Sequence, residues 1–240
     1  MDILFSLILF IIWTLFAAFF PVYSFFLLSA LFPLYLIRFS FGGIPLFLPE
    51  IFLLGQACGF GIRKFLERKI QSFLSRAFSW FQGKFIFLQQ KEDTRWWNNF
   101  LFPVCLIFAG LGISLLVTPR VFILDALGII KSWFLFPVLY FYLFLKIIPD
   151  VHRSRVVFDF YVLSCLILSL SGIYQWVTGE YLTPDARVSG PFESANYLAL
   201  FIAPACVYVL LRAIRKFSSG AGSRLFLFYA VSVPILFFAL

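Results

Sequence analysis

The chain has 240 residues, 62% of them hydrophobic and only 12% charged, with a mean hydropathy of +1.00, whereas soluble domains are about half apolar and a quarter charged. Those proportions exclude an ordinary soluble domain and predict an all-α, polytopic transmembrane bundle of roughly seven to eight spans. A formal net charge of +8 would suit nucleic acid, but the Lys and Arg residues fall in short clusters between apolar runs, where topology signals belong, so nucleic acid is excluded as a partner and membrane lipids are expected.

Ile3 to Phe20 and Val22 to Ile37 are two apolar runs divided by Pro21, each near the roughly 17 residues that a short span needs. They predict a tight hairpin or one broken element. No small-residue cleavage site follows the first run, so it is expected to stay in the membrane. Phe39 to Pro45 reads as a turn-rich link, and Leu46 to Ile62 as another span with Pro49 and Glu50 near its start. From Arg63 to Arg95, basic residues such as Arg68, Lys69 and Arg76 alternate with Leu66, Ile70 and Phe73, which predicts an amphipathic helix lying on the cytoplasmic membrane surface.

Trp96 and Trp97 mark an interface, and Phe100 to Val117 forms the next span. Residues 121–131 read as an outer loop or half-helix, and Trp133 to Ile148 returns to a basic turn at 149–155. Val156 to Val177 goes out, 178–195 is a polar outer loop, Asn196 to Leu211 comes back to a second basic cluster, and Leu225 to Leu240 is the last run. This divides the chain into N-terminal spans (1–62), a basic amphipathic cytoplasmic segment (63–99), further spans (100–177) and an outer loop leading into a last, incomplete unit (178–240). The chain stops inside an apolar run, which predicts that it is the N-terminal part of a longer protein. Positive-inside counting puts the loop carrying Arg187 outside; the N-terminus falls on either side, according to whether the first two runs cross separately or as one.

Polar groups beside hydrocarbon need partners or a purpose, which draws attention to Arg187 through Ala199. Arg187 can hold a diphosphate through bidentate hydrogen bonds, or it can snorkel to headgroups. Lys131 and Arg120, on the preceding outer segment, can join it in a phosphate-attracting mouth. Gly190 permits close backbone approach, Ser194 and Asn196 bracket a helix start where either can cap, and Glu193 is the best-placed carboxylate for acid or base work. Gln175 and Glu50 are polar groups inside spans. Cys58, Cys105, Cys165 and Cys206 read as small buried hydrophobes, neither a disulfide framework nor a metal site. His152, the only histidine, lies among Arg153 and Arg155 on the opposite face.

The order Arg187-x-x-Gly190-x-Phe192-x-x-x-Asn196-x-Leu198-Ala199, entering a membrane helix from an outer loop, resembles the signature of the O-antigen ligase and polymerase family of lipid-linked polysaccharide transferases. Gly172 to Gln175, Lys131-Ser132-Trp133 with Pro137, and Pro33 to Phe39 with Gly43-Ile44-Pro45 add to the likeness; Ala195 stands where members more often have Pro. The resemblance implies a glycosyltransferase of the inner, cytoplasmic membrane serving lipopolysaccharide and cell-envelope polysaccharide synthesis. It would move a glycan from an undecaprenyl-diphosphate carrier to a lipid or polysaccharide acceptor, without nucleotide sugar, metal or other cofactor. Arg187, with Lys131 and Arg120, would then face the donor diphosphate, while Gly190, Phe192 and Asn196 shape the motif. The family's catalytic histidine belongs to a later outer loop with no counterpart here, so the chain alone is expected to be inactive. A different reading is a transporter or flippase whose path is lined by Glu50 and Gln175; no inverted internal repeat supports it.

Overall fold

The computed structural model describes residues 3–41, 44–77, 95–148, 150–179, 187–192, 194–218 and 224–238. The chain begins with α1 (Ile3–Phe19) and α2 (Pro21–Ala30). Phe20 leaves helical geometry at φ −129° and ψ 60°, and Pro21, which has no N–H to lose, takes a position where an orphan donor would otherwise stand. A 3-10 turn (Phe32–Leu36) leads into an antiparallel hairpin, β1 (Arg38–Phe41) and β2 (Ile44–Phe47), in the register Arg38↔Phe47 and Phe41↔Ile44. The turn-rich link expected from the sequence is thus a small sheet; Pro45 is tolerated because a two-stranded ribbon has only edges.

Helix α3 (Leu48–Ala77) runs for 30 residues without a break at Arg63, so the span and the start of the basic amphipathic stretch are one rod; residues 78–94 of that stretch lie outside the described residues. After α4 (Arg95–Val117) comes a 3-10 turn (Arg120–Phe122), then α5 (Ile123–Ile130), a π-helical turn (Lys131–Leu135) and α6 (Phe136–Ile147). These follow one another as a single 28-residue apolar helix. Pro137 explains the π turn: it offers no N–H, its ring crowds the preceding turn, and the backbone widens rather than breaks.

Helix α7 (Val151–Thr178) is capped by Asp150, whose Oδ1 accepts from Arg153 N at 2.7 Å, and ends at Gly179 with φ 70°. Helices α8 (Ala195–Ser218) and α9 (Arg224–Phe238) complete the described structure. In α8, Pro204 disturbs the helical ladder, and the nearby Phe201 carbonyl accepts from the hydroxyl of Tyr161 on α7. Phe100–Val117, Arg120–Ile147, Val151–Thr178 and Ala195–Arg215 are each long and apolar enough to cross a membrane, while α1 and α2 are shorter. Many large apolar side chains, among them Leu116, Val121 and Phe102, face outward, as hydrocarbon permits. The fold is a helical membrane protein.

One core packs α1, α2, α3 and α6 around Trp13, Phe25, Phe52 and Leu143; the other packs α7, α8 and α9 around Cys165, Ile202, Val209 and Tyr229. Aromatic pairs join them, Phe26 with Phe160 at 5.7 Å and Phe32 with Phe201 at 6.1 Å. A polar knot also ties the second core: Asp159 accepts from the hydroxyls of Tyr208 (2.9 Å) and Tyr229 (2.7 Å), and Arg212 Nη2 donates to Tyr229 at 3.3 Å. Cys165 and Cys206 are buried as expected, but Cys58 and Cys105 are exposed; all four are free.

Helices α1 and α3 run parallel, since Gly55 meets Phe10 to Thr14 and Gly59 meets Thr14 to Ala18. At Gly59 a Cβ would lie 2.5 Å from the Thr14 carbonyl oxygen and 2.8 Å from Ala18 N. The spacing Gly55-x-x-x-Gly59 is the small-residue pattern that lets two membrane helices touch backbone to backbone. Gly59→Ala is therefore expected to cost about 1–3 kcal/mol through overpacking, whereas Gly61→Ala, with nothing within 4 Å, should be neutral or slightly stabilising. Unfolding of the two variants in mixed detergent micelles checks this; equal behaviour would refute the close approach.

Candidate functional site

The end of α7 and the start of α8 hold the motif between them. Gln175, buried on the last turns of α7, uses its whole amide: Oε1 accepts from Ser189 N at 3.2 Å and Gly190 N at 2.9 Å, and Nε2 donates to Gly190 O at 2.8 Å. A side chain that satisfies two backbone donors and a carbonyl stands in for the sheet or helix partner this loop lacks. Gly190 has φ +57°, and a Cβ there would come within 3.3 Å of Leu198 Cδ1 and 3.4 Å of Ser171 Oγ, so both conformation and space require glycine. Phe192 N donates to Ser189 O at 3.1 Å, and the Phe192 ring packs 6.0 Å from that of Phe201.

Helix α8 starts at Ala195, and Ser194 is its cap: Ser194 Oγ accepts from Asn196 N at 3.2 Å. Capping therefore does not consume the Asn196 side chain. Its Oδ1 accepts from Arg187 Nη1 at 3.2 Å, and both residues are exposed. The structure brings Arg187 and Asn196 together across nine residues and fixes Gly190 and Phe192 between them. Glu193 lies outside the described residues.

Of the loop or half-helix expected for residues 121–131, the structure has the helical form, and Lys131 continues it. It stands in the π turn of a continuous helix, not on a loop, and its Nζ lies 2.7 Å from Glu50 Oε2 with side-chain exposures of only 15% and 8%. Ser132 Oγ donates to Glu50 Oε1 at 2.8 Å, and Phe47 N donates to Glu50 Oε2 at 3.0 Å. That last bond makes Glu50 the third helical residue reaching back to the residue before α3, half of a capping box, in a place where the helix dipole also favours a carboxylate. The Phe47 and Phe136 rings each sit 5.7 Å from the ammonium, close enough for cation–π attraction. Trp133, two residues on, packs its ring 5.4 Å from Tyr197 on the first turn of α8. Lys131 is thus joined to Glu50, next to the motif helix. Arg120 is exposed on the 3-10 turn, roughly 16 Å of helical rise from Lys131.

Sequence reasoning named Glu50 and Gln175 as path-lining groups; in the structure each is bonded to protein atoms on both sides of its carboxylate or amide. It missed the Glu50–Lys131 pairing and the Asp159 knot. The available signal was a charged residue inside an apolar run, which must find a partner on another helix. Among the described residues, no three His, Cys, Asp or Glu side chains gather as a metal site. No family model, curated protein or solved structure matches the chain; the likeness to the O-antigen ligase and polymerase family therefore rests on the motif residues alone.

Removing one partner of a buried ion pair strands the other. Lys131→Met and Glu50→Gln are each expected to lower stability by about 3–5 kcal/mol, and the double substitution to recover much of that loss. A double-mutant cycle of unfolding in detergent measures the coupling; additive losses would show that the pair is not the linchpin of this end.

Proposed function

We propose that this chain carries the donor-recognition part of an O-antigen ligase- or polymerase-type glycosyltransferase of the inner membrane, which takes a glycan from an undecaprenyl-diphosphate carrier and joins it to a lipid or glycan acceptor. The observation that carries the reading is the turn at 187–192, clasped by Gln175, with the Arg187 guanidinium at the surface and oriented by Asn196.

Topology supports it. Arg63, Lys146 and Arg153 surround one cavity at the far end of the bundle, and Lys64, Arg68, Lys69, Arg155, Arg212 and Arg215 belong to the same or neighbouring turns of their helices. The opposite end carries the motif loop, Arg120 and the start of α1. By the positive-inside rule the first end is cytoplasmic and the motif loop is extracytoplasmic. Counting α1 and α2 as separate crossings then gives eight segments with the start of α1 outside.

In the transfer itself, the bond from the sugar's anomeric carbon to the diphosphate oxygen breaks and a bond to an acceptor hydroxyl forms. The hydroxyl proton passes to a base, for which Glu193 is the candidate. Undecaprenyl diphosphate leaves with added negative charge, and a guanidinium held beside it stabilises that charge as it develops. Arg120 is another exposed cation at this end, while Lys131 pairs with Glu50 on a helix whose Trp133 meets Tyr197 of α8.

The test is binding of a polyprenyl-diphosphate-linked sugar to the purified chain in micelles. Arg187→Ala is expected to weaken binding at least ~10-fold, worth about 1.4 kcal/mol, and Arg187→Lys several-fold less, because an ammonium cannot reproduce the bidentate fork. Unchanged binding in both variants would sink the reading and leave Arg187 as a lipid anchor.

A further inference from the structure

At the basic end, away from the motif loop, an open cavity of about 340 Å³ is bordered by Arg63 from α3, Lys146 from the end of α6 and Arg153 from the start of α7, with Phe19, Phe20 and Phe60 among its walls. A neighbouring cavity of about 250 Å³ shares Arg153 with it and reaches His152. Three basic side chains from three different helices border one space and give it a positive potential, which favours an anionic occupant. Arg63 Nε meets Glu67 at 2.8 Å and Arg153 Nε meets Asp150 at 3.3 Å. Both pairs run through Nε, and neither Glu67 nor Asp150 borders the cavity.

The apolar walls choose between classes of anion. Phe19 and Phe20 are 72% and 53% exposed, so the cavity opens sideways along a greasy flank as well as toward water. A small soluble anion would use the three cations and nothing else; a phospholipid would use both the cations and the aromatic flank. The cavity also lies at headgroup depth, because Lys146 and Arg153 bracket the link between two membrane-crossing helices, Arg120–Ile147 and Val151–Thr178. Basic pockets between helices on the cytoplasmic side are suited to anionic lipid heads.

We infer that this cavity binds the phosphate of an anionic phospholipid, with Arg63, Lys146 and Arg153 as its ligands and Phe19 and Phe20 against the start of an acyl chain. The site is independent of the donor site, which lies at the other end of α3: Glu50 and Arg63 are separated by roughly 20 Å of helical rise.

The test is native mass spectrometry of the 240-residue chain released from detergent micelles doped with phosphatidylglycerol, phosphatidylcholine or inorganic phosphate. The expected result is a retained phosphatidylglycerol adduct that falls about tenfold in Arg63→Gln/Lys146→Gln/Arg153→Gln, with phosphatidylcholine bound weakly and inorganic phosphate unable to displace the lipid. A charge-matched control, Arg68→Gln/Lys69→Gln/Arg215→Gln, changes exposed cations away from the cavity and should retain the adduct. Equal loss in both triples would assign the effect to general surface charge and overturn the site. Displacement by inorganic phosphate, or equal binding of phosphatidylcholine, would overturn the anionic-lipid assignment. Helical circular dichroism reports whether the cavity triple folds; if it does not, Arg63→Gln and Arg153→Gln singly, both on exposed side chains, decide by the same adduct ratio.

Discussion

A carboxylate and an ammonium brought by different helices into an apolar bundle can stay there only as a pair, and the Glu50–Lys131 bond is the constraint on which one whole end of this molecule depends. Glu50 reaches in three directions, to the last strand residue Phe47, to Lys131 and to Ser132. It thereby fixes where α3 begins, how the hairpin enters it and how the π turn faces it. The π turn then sets Trp133 against Tyr197, so the start of α8 is registered against α3 through two side-chain contacts. Such a pair gains little net stability over well-packed apolar residues of the same volume; its effect is to penalise every arrangement in which the two helices are out of register.

From that registered end the motif loop is built by exclusion of alternatives. Gln175 takes up the backbone groups of Ser189 and Gly190, Gly190 occupies a left-handed conformation in a space closed to any Cβ, and Ser194 takes the helix cap. With those duties assigned, the Asn196 amide is free of the helix terminus and meets Arg187. That bond runs to a neutral oxygen and orients the guanidinium.

Spans were the most legible part of the chain, because a backbone in hydrocarbon has to bond to itself and an apolar run of sufficient length leaves few alternatives to a helix. The runs Phe100 to Val117, Val156 to Val177 and Asn196 to Leu211 correspond to α4, α7 and α8, each helix extending further at one or both ends. What failed was the reading of breaks. Residues 121–131 read as a loop or half-helix, and they run on as one helix through Lys131-Ser132 and Pro137, because a helix can absorb a proline by widening when its freed groups and charges find partners next door. Gly42, Gly43 and Pro45 looked like a bare turn, because a hairpin this short carries almost no alternating pattern. The exposed Cys58 and Cys105 show the same limit: in a bundle whose outer face is also apolar, hydrophobicity does not distinguish inside from lipid-facing. The motif loop was legible as a cluster of polar residues, yet the division of labour between Ser194 and Asn196 needed coordinates, since either side chain can cap.

The two ends of the bundle answer the same physical demand in different ways. At the basic end, Asp159 lies inside the second core and is satisfied by two tyrosine hydroxyls, one of which also accepts from Arg212; Arg63 and Arg153 pair with carboxylates a turn away on their own helix side. Charges balanced this locally tie α7, α8 and α9 together and place cations around a cavity with apolar walls. At the loop end Glu50 and Lys131 form a long-range ion pair, and the Arg187 guanidinium donates to an amide oxygen. A bundle locked at its basic end by the Asp159 knot, and registered at the other by one pair, can hold an exposed loop in a single conformation without burying it.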